Sequence, residues 1–477
     1  MSRASTIGAQ VWSLIALGVG LNLLLGALVA LFKIPLYLDS LGTVLVASLA
    51  GPAAGAITGV CGVALLGLTS PTALAFFPVA ALVGLLAGVW ARFRAFGRPW
   101  LAAIGGAVTG VCGAAAAAPI ATYFFGGVTG GGTDLLVAIF RAGGANALLA
   151  SFWQGLAVDP LDKAVTFVSV AVLLRTLPAR ALRCYPLGRY LTSRSGGAHA
   201  YKAVAVSTTR DLAPSQNSAP QPSSANDLPA AEAGLKLMTL SVILLAAMLW
   251  PAARALEALW LLLGVLTAHL VVAPRLSVKL LSRLALALLP LGLSLAIISG
   301  LMAQREGDVR STWLGLSWSL PGLTESLFFL TRAGLMLWAL SVFFATTPLP
   351  RLGELLIRLR VPYTVVFVVL TGADLARQLR IRWNAIEEAQ QSRGLCTRPD
   401  GLWASWRAFM GVLAPTLSSF FSELPIRASA LQSRGLLNAT PCARIPNSWL
   451  GEAEPTWQGR LFTISIALLT VAGYLCL

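Results

Sequence analysis

The residues of this chain whose types and spacing suggest chemistry include a short phrase that occurs twice. The sequence reads QSRGL at 391–395 and again at 432–436. In each copy the glycine follows a run of good helix formers and would end the helix, so the preceding arginine projects from a firm helix end. Such an arginine suits an acidic or carbonyl-lined groove of another protein. A single copy would more simply stabilise its own helix dipole, but two copies in similar settings favour docking.

A second group consists of polar side chains within or beside apolar runs in the first 170 residues. Polar groups at membrane depth are costly and are often functional. Trp153 could stack on a flat ring, whereas a local ion pair at the membrane surface accounts best for Asp162 and Lys163. The candidate contacts to a small ligand are Asp39, Ser40, Thr43, Asn146, Trp153, Gln154 and Asp159. For Asp39 and Asn146 a structural role is an equal alternative.

The composition places these residues in a membrane protein. The chain is 57% hydrophobic and only 11% charged, and many of its apolar runs approach or exceed the roughly 18 residues that suggest a membrane span. The runs do not alternate as they would in a β-barrel, so we predict an all-α polytopic membrane protein. The net charge of +16 fits arginine-rich cytoplasmic loops better than nucleic-acid binding.

A Ser- and Pro-rich stretch at 191–233 is predicted to be a flexible linker. It separates an N-terminal module, 1–190, from a C-terminal module, 234–477. In the first module Gly51-Pro52 divides one long apolar run into two short spans, because proline disfavours helix in the residue before it. The stretch 134–157 is assigned to a re-entrant or surface helix, and a seventh span there stays open. The six predicted spans are 11–32, 39–50, 52–68, 73–91, 100–123 and 161–177.

The C-terminal module has five predicted spans and a long polar insert. The N-terminal module sets the orientation: with the N-terminus in the cytoplasm, its arginines at 92–98 and 175–189 lie inside, as the positive-inside rule requires. The insert at 348–458 is basic, broken by prolines and too long for a passive loop, so it is the expected cytoplasmic working part. It contains both QSRGL copies. The spans are 237–250, 256–272, 284–302, 326–346 and 460–477.

These features resemble the membrane coupling subunit, or T component, of energy-coupling factor (ECF) vitamin transporters. In that family two cytoplasmic helices end in small-Arg-Gly motifs, and each arginine docks on one ATPase. The resemblance covers roughly 235–477 and extends to ATTPLPRLGELLIRLRVP at 345–362 and IRASALQSRG at 426–435. Serine replaces the family's usual alanine. The implied ATPase-docking residues are Ser392, Arg393, Gly394, Ser433, Arg434 and Gly435.

The N-terminal module resembles the substrate-binding S component of the same transporters. The match rests on the six-span pattern, on AGPAAGAITG at 50–59 and on DPLDK at 159–163. The chain would then be a natural fusion of an S and a T component in the bacterial plasma membrane. The family also implies that small residues on the first span pack against the coupling subunit, although packing within the S module is an equal alternative. These are Ala16, Gly20, Gly26 and Ala30.

The resemblance also implies partners and cargo. The sequence contains no GxxxxGK[ST] P-loop, so ATP and Mg²⁺ are expected in two separate ATPase subunits and no cofactor in this chain. By family analogy the cargo is a flat vitamin or precursor, such as thiamine or its pyrimidine precursor. Cobalt or nickel is not expected as the cargo, because the S components that take these metals need an N-terminal histidine cluster. This chain has only His199 and His269.

Two alternatives belong to other classes. A secondary transporter or channel would need inverted-repeat similarity between its halves, and the two modules have different layouts. A polytopic membrane enzyme would gather acidic residues or histidines at one membrane face, whereas here the acidic residues are few and dispersed.

Overall fold

The computed structural model describes most of both modules. The linker 191–233 and the predicted span 460–477 lie outside the described residues, and the predicted spans 237–250 and 256–272 lie almost entirely outside them. The described residues are 3–32, 39–67, 71–127, 133–177, 182–188, 237, 240, 243–244, 247, 262–264, 266–267, 274–298, 310–313, 316–347, 349–394 and 402–433.

The N-terminal module is a helical bundle. A 3₁₀ turn at Pro71–Phe76, here called the 71–76 turn, precedes α4, and a shorter one at Ala95–Gly97 precedes α5. The helices are α1 Arg3–Phe32, α2 Leu41–Ala50, α3 Pro52–Leu66, α4 Phe77–Arg92, α5 Pro99–Phe125, α6 Asp134–Ala142 and α7 Ala147–Thr176.

The predicted break between the second and third helices is present at Gly51-Pro52. Gly51 has a φ of +100° and separates α2 from α3, a backbone conformation that glycine adopts without the steric cost of a side chain. Pro52 is the first residue of α3, where its missing N–H would be unsatisfied in any case. The two short helices therefore follow from local chemistry.

The end of this module differs from the prediction. The separate element expected at 134–157 is wrong in extent, because α6 ends at Ala142 and α7 runs from Ala147 without interruption through Pro160. Proline normally breaks a helix interior, but the α7 backbone around Pro160 lies directly against Gly110 of α5. Close packing on a glycine surface thus keeps α7 in place at the position where sequence rules predict a boundary.

The described part of the C-terminal module consists of helices and one short hairpin. Strands β1 Arg310–Trp313 and β2 Leu316–Ser319 pair antiparallel. The Ser319 side chain then accepts a hydrogen bond of 3.2 Å from the Gly322 N–H and caps the next helix. The helices are α8 Pro274–Leu295, α9 Leu320–Thr346, α10 Leu349–Arg358, α11 Tyr363–Gln391 and α12 Leu402–Ser433.

The predicted all-α polytopic membrane fold is confirmed. Among the described residues, five helical segments are long and apolar enough to cross a membrane. One of them, in α12, lies within 348–458, so part of this insert is more apolar than a purely cytoplasmic region requires. The five segments are Gly8–Gly26, Thr72–Arg92, Pro99–Phe125, Leu320–Ala345 and Trp406–Ser433.

Helix α1 lies at the centre of the largest hydrophobic core. Its residues from Leu14 to Leu25 are almost all buried, as expected of a helix that is apolar on every side. On one side this core contains residues of α2, α3 and α7, and on the other it contains residues of α11 and α12. The core therefore joins the two modules through one shared helix.

Two glycines form a close contact between α1 and α11. A Cβ atom on Gly20 would lie 3.0 Å from the Gly372 carbonyl oxygen and from the Ala376 nitrogen. A Cβ atom on Gly372 would lie 2.7 Å from the Val19 side chain. The two backbones therefore touch with no room for larger side chains, which is the usual way that helices associate closely in membranes.

We predict that Gly20→Leu separates the modules. Overpacking a close contact costs about 1–3 kcal/mol, and here the added atoms meet backbone. The test inserts a protease site into the linker at 191–233, cuts the purified chain and measures co-elution of the two halves. The matched control is Gly8→Leu on the same helix, since no described atom lies within 4 Å of a Cβ at Gly8. Equal co-elution of both variants would contradict the packing described here.

Candidate functional site

The N-terminal module contains a polar centre that begins with Asn22 in the middle of α1. The Asn22 Oδ1 atom accepts hydrogen bonds from the N–H groups of Gly42 and Thr43, at 2.7 and 3.3 Å. Its Nδ2 atom donates to the Thr43 Oγ1 at 2.8 Å. The first N–H groups of a helix have no partner within that helix, so a side chain of α1 caps the start of α2.

Lys163 of α7 reaches the same centre from the opposite side. Its Nζ atom lies 2.7 Å from the Asp162 Oδ2 and donates to the Ser40 Oγ at 3.0 Å, and it lies 3.9 Å from the Asp39 Oδ1. The Asp162 side chain is fully buried and that of Lys163 is nearly so. A buried charge is tolerated only when it is paired and hydrogen-bonded. The pair is therefore more than a local surface contact, because it ties α7 to the turn before α2.

These polar groups line a pocket of about 130 Å³. Its other walls are apolar and come from α3, the 71–76 turn and α4. A largely apolar cavity with a few convergent polar groups is the usual form of a small-molecule site. The polar lining residues are Asn22, Asp39, Ser40, Thr43 and Lys163.

The structure brings together three of the seven predicted ligand residues, Asp39, Ser40 and Thr43. The other four have different surroundings among the described residues. Asn146 caps α7, accepting a hydrogen bond of 2.8 Å from the Leu149 N–H. Gln154 donates to Thr133 at 2.8 Å.

The remaining two predicted ligand residues are also away from the pocket lining. Trp153 is about 44% exposed and packs edge-on against Phe152. Asp159 lies on α7, where its backbone faces Gly110 of α5. Asn22 was missed at the sequence level, although a single asparagine inside the apolar run GVGLNLLLG was a visible signal.

The first small-Arg-Gly motif forms the end of α11. Ser392 donates its hydroxyl to the Ala389 carbonyl at 2.8 Å, and Gly394 adopts a φ of +88° while its N–H bonds to the Gln391 carbonyl at 2.9 Å. This left-handed geometry is that of a glycine helix terminator. The Arg393 side chain is exposed, so it projects from a firm helix end.

The second motif begins at the end of α12. Ser433 is the last residue of that helix, and its hydroxyl donates to the Ala430 carbonyl at 2.9 Å. Arg434 and Gly435 lie outside the described residues.

The two helices that lead to these motifs are linked by charged groups. Glu423 of α12 pairs with Arg382 of α11 at 2.6 Å and with Arg427 at 3.2 Å. Arg427 also donates to Gln378 of α11 at 2.9 Å. The Arg382 guanidinium lies over the Phe420 ring, 4.3 Å from its centroid, which adds a cation–π contact. These contacts tie α11 to α12 ahead of both helix ends.

The small residues predicted to contact the coupling module divide into two sets. Ala16 is fully buried, its carbonyl oxygen lies beside Gly372, and Gly20 makes the contact with α11 described above. Gly26 instead lies near Leu66 of α3, within its own module. The Ala30 side chain is outside the described residues.

A further contact between the modules is made by Tyr185, in the turn at 182–188. Its ring meets Phe421 of α12 edge-on, with centroids 6.3 Å apart. Burial raises the pKa of the Tyr185 hydroxyl, so the residue stays neutral in this interface. It adds an aromatic contact to the shared core around α1.

Comparison with known proteins links most of the C-terminal module to a transport family. Among the described residues no group of three His, Cys, Asp or Glu side chains is arranged to hold a metal ion. No curated protein matches the chain. Residues 226–438, somewhat less than half of the chain, match the family model of CbiQ, described as a cobalt transport protein. This part of the multi-pass membrane protein is therefore a CbiQ-type transport domain.

Proposed function

We propose that this chain is the membrane subunit of an ATP-driven ECF-type importer. The N-terminal module, 1–190, binds a small molecule as an S component, and the C-terminal module, 234–477, is the T component that couples uptake to ATP hydrolysis by two separate ATPases. The observation that carries the proposal is the shared core around α1, where a pocket-bearing bundle packs on the helices that lead to the Ser-Arg-Gly motifs. The N-terminus and the motifs lie in the cytoplasm.

The docking of ATPases rests on the geometry at the end of α11. The helix and the glycine terminator fix the backbone that carries the exposed Arg393, and its planar guanidinium suits paired hydrogen bonds to carboxylate or carbonyl groups. The Ser433 hydroxyl repeats the Ser392 contact at the end of α12, so we expect each helix to offer one arginine to one ATPase. Because Glu423 joins the two helices, a change in the distance between the ATPases would move α11 and α12 against α1.

The cargo site is the pocket around Asn22 and Lys163. Its apolar walls suit a flat ring, and its hydroxyl, amide, carboxylate and ammonium groups supply both donors and acceptors. A vitamin or vitamin precursor has this chemistry. The metal in the family's description is not carried over to this chain, because the pocket is lined by one carboxylate and one ammonium group rather than by a set of metal ligands.

The first prediction from this proposal concerns docking. Arg393→Ala combined with Arg434→Ala is expected to abolish ATP-dependent uptake into proteoliposomes and co-purification of the ATPases, while the cargo stays bound to the N-terminal module. The control is Arg377→Ala, which also removes an exposed arginine from α11 but breaks only its local pair with Asp374. Such surface pairs contribute little. Undiminished uptake by the double variant would refute the docking role.

The second prediction concerns the pocket. The purified chain is expected to retain a small molecule that mass spectrometry can identify. Asp39→Asn should weaken its retention about tenfold or more, since a hydrogen bond to a charged group contributes about 1.5–3 kcal/mol. Asp159→Asn is the matched control. Like Asp39, Asp159 is a carboxylate near Lys163, but it lies on α7 and does not line the pocket. Equal losses in both variants would place the cargo elsewhere.

A further inference from the structure

The 71–76 turn belongs to the N-terminal module, but its contacts extend into the C-terminal module. Phe76 lines the pocket and stacks on Phe125 at the end of α5, with ring centroids 6.1 Å apart and planes inclined by 15°. Both rings belong to a cluster that includes Phe329 and Ala333 of α9. One wall of the pocket is therefore backed by a helix of the other module.

A second contact extends this support along α9. Leu74 packs against a separate cluster that contains Ala339, Leu340 and Phe343. From Ala333 to Phe343 is ten residues, or roughly 15 Å of helix at a rise of about 1.5 Å per residue. The turn thus meets clusters that include two different parts of α9, and a shift of α9 acts on it at two points.

Arg332 of α9 holds the neighbouring end of α5. Its guanidinium donates a hydrogen bond of 3.0 Å to the Tyr123 carbonyl oxygen and lies 4.7 Å from the centre of the Tyr123 ring. The last carbonyl groups of a helix lack partners within it, and Tyr123 is two residues from the end of α5. Arg332 is 5% exposed. A buried arginine at membrane depth is rare and is usually functional.

Gly126 allows this contact to form. It ends α5 with a φ of +67°, and a Cβ atom there would lie 2.6 Å from the Phe329 ring. Only glycine combines this backbone conformation with room for the ring. The end of α5, the 71–76 turn and α9 therefore form one packed unit next to the pocket, at a place separate from the α1–α11 contact.

We infer that α9 controls access to the pocket by holding the 71–76 turn, with Arg332 as the positioning residue. The inference rests on the proposed function in taking the pocket as the cargo site. It adds that the C-terminal module acts on the cargo site at two places, through α1 and through the wall that contains Phe76. Movement of α9 away from α5 would release Phe76 and open the pocket.

The test measures pocket access in the full-length chain. The six natural cysteines are replaced, and Val63, which lines the pocket from α3, is changed to cysteine. The probe is 2-aminoethyl methanethiosulfonate, and intact mass spectrometry follows its rate of reaction. Arg332→Ala and Gly126→Ala should each raise the rate roughly five- to thirtyfold, the change in an opening equilibrium that the loss of one well-packed contact produces.

Gly144→Ala is the matched control. Gly144 also has a positive φ, of +90°, but no described atom lies within 4 Å of its Cβ position, so it tests the backbone cost alone and should leave the rate unchanged. An unchanged rate in Arg332→Ala and Gly126→Ala would overturn the inference, as would an equal rise in Gly144→Ala.

A second reporter separates pocket opening from unfolding. Val170 is fully buried in the core around α1, and Val170→Cys should stay unreactive in every variant. If Arg332→Ala exposes Val170→Cys, the variant Arg332→Lys replaces it. Lysine keeps the charge but lacks the planar guanidinium, so the rate at Val63→Cys should rise less. No rise would equally overturn the inference. The readout is access, so failed uptake with a normal response here would count against the proposed function alone.

Discussion

The structure depends on the burial of α1 from two sides. Most membrane helices turn part of their surface to lipid, yet α1 packs on α2 and α3 with one face and on α11 and α12 with another. This arrangement requires small residues at the crossing points, because larger side chains would force the backbones apart. Gly18 and Gly42 meet the requirement between α1 and α2, and Gly20 and Gly372 meet it between α1 and α11.

The tight packing also explains where polar groups are found. Burying a polar group in an apolar interior without a hydrogen-bond partner costs free energy. Asn22 therefore caps α2, and Lys163 pairs with Asp162. The contact of Asn22 with Gly42 and that of Lys163 with Ser40 join segments that are distant in sequence. The pairing therefore fixes the relative positions of α1, α2 and α7, and the pocket forms where their polar groups meet. A cargo molecule would add its own hydrogen bonds to groups that are already oriented.

Local chemistry made part of this arrangement predictable. The break at Gly51-Pro52 and the helix end at Gly394 follow from backbone preferences that act within a few residues. Asp39, Ser40 and Thr43 were identifiable because polar residues beside an apolar run are uncommon. The continuity of α7 through Pro160 was not predictable, since it depends on packing against Gly110 of α5. Arg332, an arginine inside a predicted span, was a visible signal, but its partner, Tyr123 of the other module, was not predictable.

The two contacts between the modules differ in a way that matters for coupling. The α1–α11 contact brings the backbones of Gly20 and Gly372 together, with the side chains of Val19 and Leu375 beside them. The contact at α9 is made of interlocking aromatic rings and one directional hydrogen bond, which favours a single arrangement and is lost abruptly when the helices shift. Under the proposed function, the glycine contact beside α11 and the discrete contact beside the pocket wall would both transmit a movement of α11 and α12, and the discrete contact would turn it into a two-state change at the pocket.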